Sequence, residues 1–277
     1  MSLSAAAISK NHDALAKLIS SWVEANPIVK DQGENGGSKQ DLVTIALRTR
    51  PFLESEGKES LSGVHARGDK MWVHVPSSKW SGPTIQHKPF EGDFAFGPES
   101  TSEEVYERLV ARPGVLDTVL GGGVGCVLAY GQTGSGKTYT ISSLEEIISR
   151  DIFSAAESYA SAHFPGSPTL PKDVFTMGIS MYELLGNKAT DLLDQESKGV
   201  DIAEDKVGHT VERQEPYSIG QFGGIQVSAK VVSVTNASEL ANMVATAASH
   251  RRTSATLKNE TSSRSHVLSY LSCSSII

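Results

Sequence analysis

Cysteine is scarce in this chain: Cys126 and Cys273 are its only two, too few for a disulfide framework or a thiolate zinc site. Both are expected to be plain buried thiols. Long apolar runs are also missing. No stretch approaches the roughly 18 uninterrupted residues of a membrane span, and the N-terminus lacks the basic-then-apolar order of a secretory signal, so the expected compartment is intracellular. There is no excess of positive charge either. Thirty-two acidic residues face 25 basic ones, a formal net charge of −7, which argues against a general nucleic-acid binder. His74 and His87 have no second ligand at metal spacing and read as structural histidines.

What the chain does contain is Gly131-Gln132-Thr133-Gly134-Ser135-Gly136-Lys137-Thr138, a full match to the phosphate-loop pattern G-x-x-x-x-G-K-[ST]. Glycines let backbone N–H groups turn inward around phosphate oxygens. Lys137 supplies a point charge for the β- and γ-phosphates, and the Thr138 hydroxyl is a Mg²⁺ ligand. The preceding run from Val124 to Tyr130 is short and apolar, as expected of a fully buried strand. A helix should follow, with its N-terminus toward the phosphates.

The rest of the chain alternates between the two periodicities. Ala5 to Ala25 places Ile8, Leu15, Leu18, Ile19, Trp22 and Val23 on one stripe, predicting a single amphipathic helix that ends at Pro27. That helix either packs on its own domain or binds a partner. Residues 31–40 are polar and Gly-rich, which predicts a flexible linker between an N-terminal helical segment, 1–30, and a domain from 41 to 277. Within that domain Leu42 to Leu47 and Met71 to Val75 read as strands, and Pro76 to Pro83 as a loop. A helix starts near Ser102 and is interrupted at Pro113-Gly114. Ser142 to Ala162 is helical, Asp173 to Leu185 holds a strand, and Gln195 to Gln226 reads as short strands and loops. Val227 to Val234 is another strand, and a helix capped by Asn236 or Ser238 runs to about Ser249. This alternation predicts an α/β fold of the phosphate-loop NTPase type, with a central, mainly parallel sheet flanked by helices.

The second informative stretch is Asn259-Glu260-Thr261-Ser262-Ser263-Arg264-Ser265-His266. Three serines around an arginine make a hydroxyl-rich segment suited to bonding a γ-phosphate, a metal-bound water and an acidic partner. On these residues, with the phosphate loop, the chain resembles the kinesin motor domain: N-x-x-S-S-R-S-H, that family's switch I, is matched at every fixed position. Arg48-Thr49-Arg50-Pro51 is similar to its R-x-R-P element, and Met181-Tyr182-Glu183 with Asp191-Leu192-Leu193 resembles its following strand and loop.

The resemblance implies a microtubule-stimulated ATPase in the cytoplasm, associated with the microtubule cytoskeleton, with ATP or ADP and Mg²⁺ as ligands and tubulin as partner. Arg48, Arg50 and Pro51 would flank the adenine, with Tyr139 near the base and Gly131 to Thr138 holding the phosphates. Thr138 and Ser263 would complete the Mg²⁺ shell, Asn259 would lie at the nucleotide, Ser262 would help position the attacking water, and Arg264 would latch to a second switch. The D-x-x-G-x-E motif of that second switch should follow the strand after His266, but the chain stops at Ile277. The resemblance therefore implies a motor domain incomplete at its C-terminus, marginally stable, and lacking most of the microtubule face. A non-motile nucleotide-binding remnant or regulatory pseudo-motor is the alternative reading.

Overall fold

The computed structural model describes residues 3–28, 43–56, 60–166, 174–194, 196, 198–204, 225–257 and 265–275. The predicted linker, 31–40, lies outside them. The chain forms two compact units, one of Met1–Pro113 with Tyr130–Lys137, the other of Gly114–Ala129 with Thr138–Ile277.

In the first unit the predicted N-terminal helix is two helices, α1 (Ala5–Lys10) and α2 (His12–Ala25). They part at Asn11, whose side-chain amide donates to the Ala7 carbonyl at 2.8 Å, the local competition by which Asn ends helices. The apolar stripe of α2 buries Leu15 and Ile19. Its last turn sets Trp22 against a sheet of β2 (Val64–Arg67), β3 (Lys70–Lys79) and β4 (Gly82–Glu91). The stripe is thus used within the chain, and the structure lends no support to α2 as a partner-binding helix.

The expected loop at Pro76 to Pro83 is instead the body of the β3–β4 hairpin, paired from Lys70↔Glu91 to Lys79↔Gly82. Proline is tolerated because β2 covers β3 only as far as Val73, so Pro76 has no second strand that needs its missing N–H. Gly68 turns β2 into β3 at φ 62°, a conformation that favours glycine. Of the strand expected from Leu42 to Leu47, Leu42 lies outside the described residues and, from Val43 on, the strand is only β1 (Ala46–Arg48), which pairs in parallel with β5 (Phe94–Phe96). Helix α3 (Ser102–Tyr106) is capped by Thr101 and runs into a π-helical turn, Glu107–Ala111, whose Arg108 guanidinium lies 4.6 Å above the Phe94 ring.

Beneath Trp22 three imidazoles form a chain, with His74 Nδ1 2.7 Å from His87 Nδ1 and His74 Nε2 2.9 Å from His65 Nδ1. A neutral His74 satisfies both contacts by donating through one nitrogen and accepting at the other. Burial pushes all three histidines below their ordinary value, His74 to about 4, reinforced there by His65, His87 and Arg67; Glu99 acts on His65 in the opposite sense. Depressed folded-state values mean that the unfolded chain binds more protons in acid. The stability this cluster contributes is therefore complete above about pH 6.5 and is lost as pH falls toward about 4. Acid titration followed by tryptophan fluorescence should show a change in that window, and His74→Leu should flatten it. An unaltered profile in the variant would contradict the assignment.

The second unit opens with α4 (Val115–Leu120), and α5 (Lys137–His163) supplies its long helix. Then follow β6 (Phe175–Leu185), β7 (Lys188–Asp191), β8 (Ile202–Glu204), β9 (Ile225–Val227), β10 (Val232–Val234), α6 (Ala237–Leu257) and β11 (Ser265–Ser275). Strand β6 is the hub. Strand β11 pairs with it along its full length, from Ser265↔Leu185 to Ser275↔Phe175, while β10 and β7 share its other edge. These pairings are antiparallel, so among the described residues the expected parallel pairing is confined to β1 and β5. Met177, Ile179 and Met181 of β6 pack in one buried core with Ile152 of α5 and with Leu240 and Ala247 of α6. Asn236 caps α6 by accepting from Glu239 N–H at 2.9 Å, and Glu239 accepts in return from Thr235 N–H at 2.8 Å.

Candidate nucleotide-binding site

Within the first unit the loop from Gly131 to Lys137 is built as the motif requires. Gly134 and Gly136 take φ of 80° and 95°, open to glycine and strained for other residues. A Cβ on Gly131 would lie 2.6 Å from Ser135 Oγ, whereas one on Gly136 would meet Arg50 only at an ordinary contact distance of 3.6 Å, so at Gly136 it is the positive φ that requires glycine. Gly131 to Gly134 are exposed. Lys137 folds back on the loop, its Nζ donating to the Gly131 and Gln132 carbonyls at 2.8 Å each. The loop thus carries an ammonium on its own carbonyls and continues into a 27-residue helix, and its residue types fit a nucleotide phosphate chain.

The R-x-R-P element reaches this loop through one side chain. Arg50 Nε donates to the Gly134 carbonyl at 2.6 Å, and its terminal nitrogens grip the Glu56 carboxylate at 2.6 and 2.9 Å. Glu56 also accepts from Leu53 N–H at 2.8 Å. The Arg50 hydrogen bonds, and then the Leu53 one, hold the Glu56 carboxyl down at about 2. Arg48 donates instead to the Ser100 carbonyl at 3.4 Å. Pro51 is exposed beside Arg50. Thr138 and Tyr139 are exposed in the first turn of α5. Arg50, Pro51, Gly134, Gly136 and Lys137 are thus gathered around one loop. Asn259, Ser262, Ser263 and Arg264 lie outside the described residues.

Two expectations need correction. Val124 to Tyr130 is not a buried strand: Val124, Val127 and Leu128 are exposed, and no strand among the described residues pairs with the segment. An apolar run becomes a strand only where a neighbouring strand takes its N–H and C=O groups, a condition that composition does not reveal. Cys126, inside this run, is accordingly exposed rather than buried. Cys273 is half-buried on β11, its thiol pushed up by burial to about 11.

Sequence reasoning missed Glu56, since a glutamate six residues beyond an arginine carries no signal until the intervening turn brings the two together. It also missed two polar ties in the second unit. Arg251 of α6 lies 3.4 Å from Glu183 of β6, and Ser269 of β11 donates to Glu145 of α5, whose carboxyl is raised by burial.

No helix among the described residues is long and apolar enough to cross a membrane. The family profile described as the kinesin motor domain matches residues 48–275. Kinesin-like protein KIN-8B of Arabidopsis thaliana is 31% identical over 240 residues, covering 83% of this chain and 26% of its own length. Kinesin-like protein KIN-5A of the same plant is 30% identical over 256 residues, covering 87% of this chain and 22% of its own. Diatom spindle kinesin-1 of Cylindrotheca fusiformis is 30% identical over 159 residues, covering 56% of this chain and 23% of its own. The chain thus spans about a quarter of the length of the curated relatives it matches. A phosphate loop braced by its R-x-R-P arginine and a profile match over residues 48–275 lead to one conclusion: this chain belongs to the kinesin motor domain family.

Proposed function

We propose that this chain is the nucleotide-hydrolysing part of a microtubule motor, binding ATP with Mg²⁺ at Gly131–Thr138 and coupling hydrolysis to movement along, or remodelling of, microtubules. The reading is carried by Lys137, which stands at the start of α5 with its ammonium held over the loop by two carbonyls. Those neutral acceptors are weaker partners for a cation than phosphate oxygens, so Lys137 exchanges them for the β- and γ-phosphates. When bound, Mg²⁺ neutralises charge on the same phosphates.

In this reading the Thr138 and Ser263 hydroxyls hold the metal, and Ser262 orients the water for in-line attack. Arg264 latches the switch segment, with Asn259 at the nucleotide. Arg48, Arg50 and Pro51 border the adenine, with Tyr139 beside it. Its place is the cytoplasmic microtubule cytoskeleton. The test is binding of a fluorescent ATP analogue with Mg²⁺, followed by ATP turnover with and without microtubules. Saturable binding and turnover that rises with tubulin polymer are expected. Binding without stimulation would reduce the chain to a nucleotide-binding module, and no binding would overturn the proposal.

A further inference from the structure

We infer that Glu56 is a positioning residue for nucleotide binding, holding the Arg50 guanidinium against the Gly134 carbonyl and so fixing the curvature of the phosphate loop. The inference rests on the reading of Gly131–Thr138 as a nucleotide site.

An arginine side chain free to rotate has many ways to present its five N–H groups. Here the two-pronged grip of Glu56, at 2.6 and 2.9 Å, together with the Pro51 carbonyl that accepts from one terminal nitrogen at 2.8 Å, fixes the plane of the guanidinium. The third nitrogen is thereby aimed at Gly134 O, 2.6 Å away. Leu53 N–H, just ahead of the short turn Glu54–Glu56, also holds one Glu56 oxygen at 2.8 Å and so orients the carboxylate.

The Gly134 carbonyl and the Ser135 N–H belong to one planar peptide and point to opposite sides. Fixing the carbonyl toward Arg50 therefore fixes that N–H on the other side of the loop, where it donates to Gln132 O at 3.2 Å. The Arg50 stem also backs Gly136, where an added Cβ would lie 3.6 Å from it. With its charge matched by Glu56, Arg50 acts here through direction rather than through net attraction for phosphate. The pair keeps about a third of its side-chain surface in solvent, 29% and 34%, and such pairs add little to global stability. Its loss should therefore show in nucleotide affinity rather than in melting temperature.

The experiment titrates a fluorescent ADP analogue with Mg²⁺ into the whole chain and into the variants Glu56→Gln, Arg50→Ala and the double variant. Glu56→Gln keeps the shape and removes the charge. We expect its affinity to fall by roughly tenfold with a melting temperature within about 2 °C of the parent. Arg50→Ala should lose at least as much, and the double variant should lose no more than Arg50→Ala, because Glu56 acts only through Arg50. Parent-like affinity in Glu56→Gln, or losses that add in the double variant, would overturn this inference alone. A parent chain that binds no nucleotide would overturn both the site reading and the inference built on it.

Discussion

Lys137→Ala should leave the fold intact and remove nucleotide binding. Its ammonium is the cation held on the loop carbonyls, 2.8 Å from Gly131 O and from Gln132 O, and its side chain contributes to no buried core. Once nucleotide covers the loop and desolvates the Lys137–phosphate pair, truncating one partner of such a hydrogen-bonded charge pair costs about 3 kcal/mol, within the range of roughly 2–5 kcal/mol for buried pairs. That corresponds to at least roughly a hundredfold loss of affinity for a fluorescent ATP analogue with Mg²⁺. Far-UV circular dichroism and the melting temperature should match the parent, since the bonds lost are to exposed loop carbonyls that water can solvate. Unchanged affinity in this variant would remove Gly131–Thr138 as the site.

The second large effect is on stability. Asp191, at the end of β7, is buried and accepts three backbone hydrogen bonds. One oxygen takes Leu193 N–H at 2.7 Å and Asp194 N–H at 3.1 Å, and the other takes Lys230 N–H at 2.6 Å. The carboxylate thus turns the chain after β7 and ties it to the segment leading into β10. Asp191→Ala leaves three donors without that acceptor beside the buried Leu192 and Leu193, at a cost on the order of 3–5 kcal/mol. The melting temperature should fall by roughly 10 °C. Asparagine keeps one oxygen for Leu193 and Asp194 but presents an NH₂ group to the Lys230 N–H, so Asp191→Asn should fall between parent and alanine. A melting temperature for Asp191→Ala within about 1 °C of the parent would refute this role. The sequence identified Asp191-Leu192-Leu193 only as a pattern, whereas the structure gives it a physical purpose: an acceptor for three N–H groups followed by two core residues.

Local chemistry explains what was legible beforehand. The phosphate loop could be read because its glycines answer backbone demands a few residues long: Gly134 and Gly136 sit at positive φ, and Lys137 follows at the start of a helix. The long α5, the β6 strand, the break after Pro113 and the Asn236 cap of α6 were similarly accessible, each resting on periodicity or on one side chain bonding its own neighbourhood. The Pro76–Pro83 segment misled because proline's cost in a strand depends on which edge is paired, and Val124–Tyr130 misled because a strand exists only with its neighbour.

By itself, then, the sequence determined the phosphate loop, the long helix α5, the Asn236 cap of α6 and the kinesin family of the chain, each carried by short stretches of the backbone. Only tertiary structure decided that α2 lies on the histidine chain of the β2–β4 sheet, that β6 is the antiparallel hub of the second unit, and that Glu56 reaches the phosphate loop through Arg50. The physical reason is common to all three. Each depends on groups brought together by chain reversals, and the free energy of such a contact comes from desolvation and hydrogen-bond geometry that exist only once the partners meet.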